Sequence, residues 1–218
     1  MHGSSTHTHT DTAVISVAAA HAPEVVTSAA FDERLMPTYE RLGTQPGLLE
    51  NLAGIRERRW WPEGMTFAEA SALAGEKAIE AAGIDRHRIG LLIDTSVCRD
   101  HLEPSAAVAV HHMLDLPSNC LNFDLSNACL GFMNAMQVAG SMIDLGQIEY
   151  ALIVDGEGSR HTQQMTLDRL SRDDATMGDL FSEFASLTLG SGAAAMVLGR
   201  HSDNPGSHRV VGGISQAD

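Results

Sequence analysis

Three short, nearly continuous apolar runs, Ile89 to Thr95, Leu121 to Leu125 and Tyr150 to Asp155, alternate with longer stretches of helical periodicity. This alternation restricts the fold more than any other feature of the chain. An apolar run without polar interruption reads as a strand covered on both faces, and strands that alternate with helices build a sheet flanked by helices. The expected class is therefore α/β with a mixed sheet. Ala13 to Val17 adds a short β-rich run, and helices are expected near Ser28 to Leu42 and Gly47 to Leu52. Thr66, followed three residues on by Glu69, forms a capping box that opens a helix ending at Gly83. Further helices are read over Ser105 to Leu114, Leu130 to Leu145 and, shorter, Met177 to Phe184. Gly156 to Asp174 reads as a polar connection of the kind that often lines a site. Gly190-Ser191-Gly192 turns into a small-residue strand, Ala193 to Leu198, and Arg209 to Ile214 opens one more.

Charge narrows the partners. Lys and Arg number 14 against 28 Asp and Glu, a formal net charge of -14, which repels a phosphate backbone and argues against nucleic acid. The three cysteines, Cys98, Cys120 and Cys129, are too few and too unevenly placed for a disulfide framework and fit a reducing cytoplasm. No apolar run approaches the roughly 18 to 20 residues that cross a bilayer. Residues 1–11 are polar and repetitive, with nothing to bury, and are read as a disordered tail. His7 and His9 have the chemistry to bind a metal there, but a solvated leader is the plainer reading.

The most informative segment for chemistry is Phe123-Asp124-Leu125-Ser126-Asn127-Ala128-Cys129-Leu130-Gly131-Phe132, where a strand ends and an apolar helix starts at a cysteine. A sulfur at a helix N-terminus feels the positive end of the macrodipole and unpaired N–H groups, both of which favour the thiolate, the form that attacks. Ala128 and Gly131 leave room for an acyl chain, and the backbone N–H of Cys129 can help hold an oxyanion. The same residues admit another reading, in which Cys129 is a small hydrophobe filling a tight junction.

Asn127-Ala128-Cys129-Leu130-Gly131-Phe132 resembles the nucleophile motif of the β-ketoacyl synthase III group in the thiolase superfamily. Gly54-Ile55-Arg56-Glu57-Arg58-Arg59 looks like that group's early Gly-Ile-x-x-Arg signature. Ala81-Ala82-Gly83-Ile84 is similar to the end of its first long helix, and Gly190-Ser191-Gly192-Ala193 to its Gly-x-Gly-Ala turn. The ordered set spans about Val14 to Ile214. Arg99-Asp100-His101-Leu102-Glu103-Pro104-Ser105 narrows the likeness to the OleA type, which joins two acyl chains head to head. The resemblance implies a layered αβαβα fold in the whole enzyme, with residues 12–200 as its N-terminal half and 201–218 as the start of the second.

The resemblance also implies roles. Cys129 takes the acyl group, and Glu103, reaching across a homodimer interface, serves as the base that forms the second substrate's carbanion. A carboxylate carried into an apolar pocket is a stronger base than one in water. Substrates are acyl-coenzyme A or acyl-carrier thioesters, with no metal or redox cofactor. Where relatives grip coenzyme A with a tryptophan and an arginine, this chain has Leu48 and Leu52, so Arg58 and Arg59 become the candidates for its phosphates, with Trp60 and Trp61 nearby. The family's catalytic His and Asn belong to the second half, and none of His101, His111, His112 or His161 stands in a matching segment. The remainder is expected either further along a longer chain or on a second polypeptide. Two other readings stay open: a synthase III that uses malonyl carriers, and a noncatalytic half that shapes a partner's tunnel. Met133, Met136 and Met142 are read as helix packing, with an adaptable channel as the alternative.

Overall fold

A computed structural model of the chain describes residues 5–216. In chain order its elements are β1 (Ser5–Thr8), β2 (Thr12–His21), β3 (Glu24–Thr27), α1 (Ser28–Leu42), α2 (Leu48–Ala53), β4 (Glu57–Trp60), α3 (Phe67–Ala82), β5 (Ile89–Asp94), α4 (Ala106–Met113), β6 (Leu121–Asp124), α5 (Gly131–Asp144), β7 (Tyr150–Glu157), α6 (Arg160–Leu170), α7 (Met177–Thr188), β8 (Gly192–Arg200), β9 (His208–Arg209) and β10 (Gly212–Ser215). Single 3-10 turns lie at Arg86–Arg88 and Ala128–Leu130. These elements divide into two compact units.

The first unit comprises residues 1–20, 66–156 and 193–218. Its sheet has the strand order β6-β5-β7-β8-β2-β9. β5 runs parallel to both β6 and β7, while β2 and β9 are antiparallel, so the sheet is mixed. Alternation sorts the strand side chains. Leu91 and Ile93 of β5, with Ala151 and Ile153 of β7 and Leu198 of β8, pack against Ala135, Ala139 and Ile143 of α5. On the other face α3 comes close through a glycine: a Cβ on Gly75 would stand 2.9 Å from Leu114 Cδ1 and 3.3 Å from Val154 Cγ1. Cover on both faces explains why these strands read as unbroken apolar runs.

α3 begins as expected, with Thr66 and Glu69 each bonding the other's backbone N–H, and ends at Gly83 in the left-handed conformation with φ +63.

The second unit, residues 21–65 and 157–192, holds the antiparallel pair β3–β4 and helices α1, α2, α6 and α7. Phe31, Leu35, Tyr39, Leu49, Leu167, Leu170, Leu180 and Leu187 form its core.

Three expectations change. Of the tail expected to be disordered, residues 1–4 lie outside the described residues. Ser5–Thr8, however, pairs antiparallel with Gly212–Ser215, and His9 is 6% exposed. The polar connection after Gly156 contains α6, which buries only Gln163, Thr166, Leu167 and Leu170 and so carries little hydrophobic periodicity. The strand read over Arg209 to Ile214 is split into β9 and β10. Residues 217 and 218, the end of the segment read as opening a second half, lie outside the described residues.

Candidate active site

β5 and β6 each end in an aspartate and β7 carries one two residues from its end, all buried or part-buried: Asp94, Asp124 and Asp155. Asp94 and Asp124 are register partners at the carboxyl ends of two neighbouring parallel strands. Ligands of open α/β sheets bind at this edge. The loop leaving β5 carries Glu103, and the loop leaving β6 carries Cys129. The topology therefore delivers both predicted site residues to one edge of one sheet.

The turn at Cys129 is built by three features. Leu125 donates its N–H to the Asp94 carbonyl at 2.9 Å, fixing where the chain leaves the sheet. Ala128 then takes φ +43, a left-handed conformation that costs a residue with a Cβ about 1 kcal/mol. The 3-10 turn there leads into α5 at Gly131, one residue later than the Leu130 start expected from sequence. Gly131 lets this turn sit down on the sheet, because a Cβ there would lie 3.1 Å from the Leu125 carbonyl oxygen and 3.2 Å from that of Thr95.

Cys129 is exposed, whereas Cys120 is buried and Cys98 intermediate. Burial pushes the Cys120 thiol up to about 11, which keeps it protonated near neutral pH. The alternative in which Cys129 fills a tight junction does not match its exposure. Beside it, Asn127 donates from Nδ2 to Asn134 Oδ1 at 2.6 Å across the turn. Asn134 also lines a cavity of about 360 Å³ with Leu130, Met133, Met136 and Ile214. Met142 packs on the core, Met136 packs there and also lines the cavity, and Met133 is 58% exposed at it.

Glu103 is exposed in the loop between β5 and α4 and joined to Pro104 by a cis peptide bond. Its side chain makes no hydrogen bond or ion pair among the described residues.

The roots of its loop are held by a residue the sequence reading passed over. Asp124 accepts the N–H groups of Ala106 and Ala107, each at 2.9 Å, and forms an ion pair with Arg99. A recurring pattern, an apolar strand closing on aspartate, was the available signal. Asp94 itself is fully buried. Burial pushes its carboxyl up, against hydrogen bonds from Ser96 and Ser71.

Arg58 and Arg59 belong to the second unit, where the structure corrects one of them. Arg58 is 4% exposed; its guanidinium lies 4.3 Å from the Phe31 ring centroid and donates to Ser28 Oγ at 2.9 Å. It points inward from β4 and serves that core, so it is not a surface grip for phosphates. Arg59, on the opposite face of the strand, is exposed and 3.6 Å from Glu57. Trp61 is buried, donating to the Glu157 carbonyl, and Trp60 lies under Arg160.

A helix-covered mixed sheet that presents a cysteine in a strained turn between a parallel strand and an apolar helix defines a thiolase-like fold. Comparison with known proteins narrows the class. The family described as 3-oxoacyl-[acyl-carrier-protein] synthase III matches residues 123–213. The acyl-CoA:acyl-CoA alkyltransferase of Xanthomonas campestris pv. campestris is 44% identical over 196 residues, covering 90% of this chain and 58% of that protein. That of Shewanella oneidensis is 38% identical over 177 residues, covering 81% and 50%. A cysteine-to-serine variant of Xanthomonas campestris OleA, solved with bound lauric acid and lauroyl-CoA, aligns with a TM-score of 0.89 at 42% identity, over 91% of this chain and 59% of that one. A glutamate-to-glutamine variant aligns with the same TM-score at 41% identity, over 93% and 62%. The chain belongs to this thiolase-like synthase III family, and it spans little more than half the length of these relatives.

Proposed function

We propose that this chain carries the nucleophile and the base of an acyltransferase that condenses two fatty acyl thioesters. The Cys129 thiolate attacks the carbonyl of one acyl-coenzyme A; the bond to the coenzyme A sulfur breaks and the acyl group passes to Cys129. Glu103 then removes a proton from the carbon next to the carbonyl of a second acyl-coenzyme A. The resulting carbanion attacks the acyl-cysteine, expels the Cys129 thiolate and leaves a β-keto thioester, a Claisen condensation.

The observation that carries this reading is the exposed Cys129 in a strained turn at the carboxyl edge of the sheet, with Glu103 on the neighbouring loop. The glutamate changed in two solved OleA structures precedes the changed cysteine by the same interval that separates Glu103 from Cys129. In this reading the protein is a cytoplasmic homodimer in which Glu103 enters the second copy's site. Residues 12–200 form the first half of the fold and 201–218 open the second, and Arg59 remains the candidate for a coenzyme A phosphate. Among the described residues no helix is long and apolar enough to cross a membrane, and no three His, Cys, Asp or Glu side chains group around a metal position.

The test uses full-length protein incubated with a saturated acyl-coenzyme A. Mass spectrometry is expected to find one acyl group on the Cys129 peptide and none in Cys129→Ala; an adduct that survives this substitution sinks the assignment. Glu103→Gln is expected to keep the adduct while condensation falls about 100- to 10,000-fold. Rapid carbon dioxide release from a malonyl thioester, with condensation indifferent to Glu103, would favour the malonyl-using alternative instead.

A further inference from the structure

α4 starts without a cap of its own: Ser105, at its N-cap position, makes no side-chain hydrogen bond. The first two amides of the helix, from Ala106 and Ala107, are instead taken by the two oxygens of Asp124, which ends β6 five residues before Cys129. One of those oxygens also pairs with Arg99, at the start of the loop that leads into α4. The pair is largely withdrawn from solvent, with 18% of the Arg99 side chain and 12% of the Asp124 side chain exposed. A second tie, from the Phe67 N–H to Asp100 at 3.1 Å, holds the loop to the start of α3. What these contacts leave unheld and exposed is the tip, residues 101–104, with Glu103 in it.

A cap alone would need only the two amides. The Arg99 pair adds a second hold, so both ends of the Glu103 loop close on one carboxylate, and that carboxylate also begins the turn that presents Cys129. We propose that Asp124 is a positioning residue: with Arg99 it sets the direction in which Glu103 leaves the sheet edge and ties that direction to the nucleophile's turn. This rests on the reading of Glu103 as the base. It holds whether Glu103 acts in its own copy's site or in a second copy's, because the loop's direction is fixed at its root in either case. Acylation of Cys129 does not use Glu103, so the two half-reactions respond differently to loss of the clamp.

The experiment measures both half-reactions in full-length Asp124→Asn and Arg99→Gln: acyl transfer to Cys129 from acyl-coenzyme A, and formation of the β-keto product. Acylation is expected to stay near the unsubstituted rate. Condensation is expected to fall on the order of 100-fold, the loss that an ångström of misplacement brings. In a Glu103→Gln background neither substitution should lower condensation further, because the group being positioned is already gone. Parallel loss of both half-reactions, or a full additional loss in that background, overturns the proposal and leaves Asp124 a stabilising cap. Should Asp124→Asn not fold, Arg99→Gln decides, since it leaves the α4 amides capped. If Glu103→Gln condenses at full rate, the base reading itself is lost. If Glu103→Gln is inactive while both clamp variants condense normally, only the positioning role is.

Discussion

At Gly131 the available space is set by carbonyl oxygens of two strand ends, and neither can yield without moving the sheet edge. Its φ of -50 is ordinary for any residue, so the requirement for glycine here is steric and not conformational. Gly131→Ala must push a methyl group to within 3.1 Å of the Leu125 oxygen and 3.4 Å of Thr95 Cβ. Such overpacking typically costs about 1–3 kcal/mol. Urea denaturation should show a loss of that size, and because relief comes by lifting the turn, Cys129 acylation should slow as well. A variant of unchanged stability and rate would mean that the turn is looser than its contacts indicate. Arg58 gives the opposite lesson at the same scale. Its type and spacing matched a phosphate grip, but β-strand alternation sends it to the covered face, where the Phe31 ring and Ser28 hold it.

Among the elements, the chain that links β1 to β2 is held by one carboxylate on α5. Asp144 accepts from the Thr10 and Asp11 N–H groups at 2.8 and 2.9 Å, from Thr12 Oγ1 at 3.0 Å, and bonds His9 at 3.2 Å. Burial pushes the Asp144 carboxyl up, but these hydrogen bonds, led by the Asp11 and Thr10 amides, outweigh it and bring it down to about 2. A folded-state value below the unfolded one of 3.8 means stabilisation that is complete above about pH 4 and is lost as the pH falls towards 2. It amounts to on the order of 2 kcal/mol. Denaturant titrations at pH 5, 3.5 and 2.5 should show Asp144→Asn less stable at pH 5, with the two proteins converging at the acid end. Parallel curves would remove Asp144 as the clamp. These bonds also explain why the leader reads as disordered: Ser-Thr-His repeats offer nothing apolar, and their partner lies more than 130 residues away. Helices with local signals were legible, as Thr66, Glu69 and Gly83 mark α3. α6 was not, because its buried face is half polar. The site divided along the same line, since Cys129 and Glu103 sit in recognisable local motifs. Asp124 works only through contacts that folding brings together.

Across the whole molecule, a net charge of -14 opposes self-association while the surface around the cavity favours it. Leu130 and Met133 are each 58% exposed there, with Ile214 at 68% and Val211 at 70% nearby. Contiguous apolar surface of this kind drives association. The two tendencies respond oppositely to salt. Raising ionic strength from 0.1 M to 1 M shortens the Debye length from about 10 Å to about 3 Å, which weakens charge repulsion and leaves apolar contact untouched. Sedimentation velocity on the 218-residue chain should therefore show more association in 1 M salt than in 0.1 M. Met133→Glu, which places a charge in the middle of the patch, should reduce it at both. If salt instead disperses the associated species, ion pairs hold them together and the apolar surface is not the cause. Leu130 follows Cys129 directly, so a contact that covers this surface also changes access to the sulfur. Alkylation of Cys129 by iodoacetamide in the isolated chain should then slow as its concentration rises, and Met133→Glu should abolish that dependence.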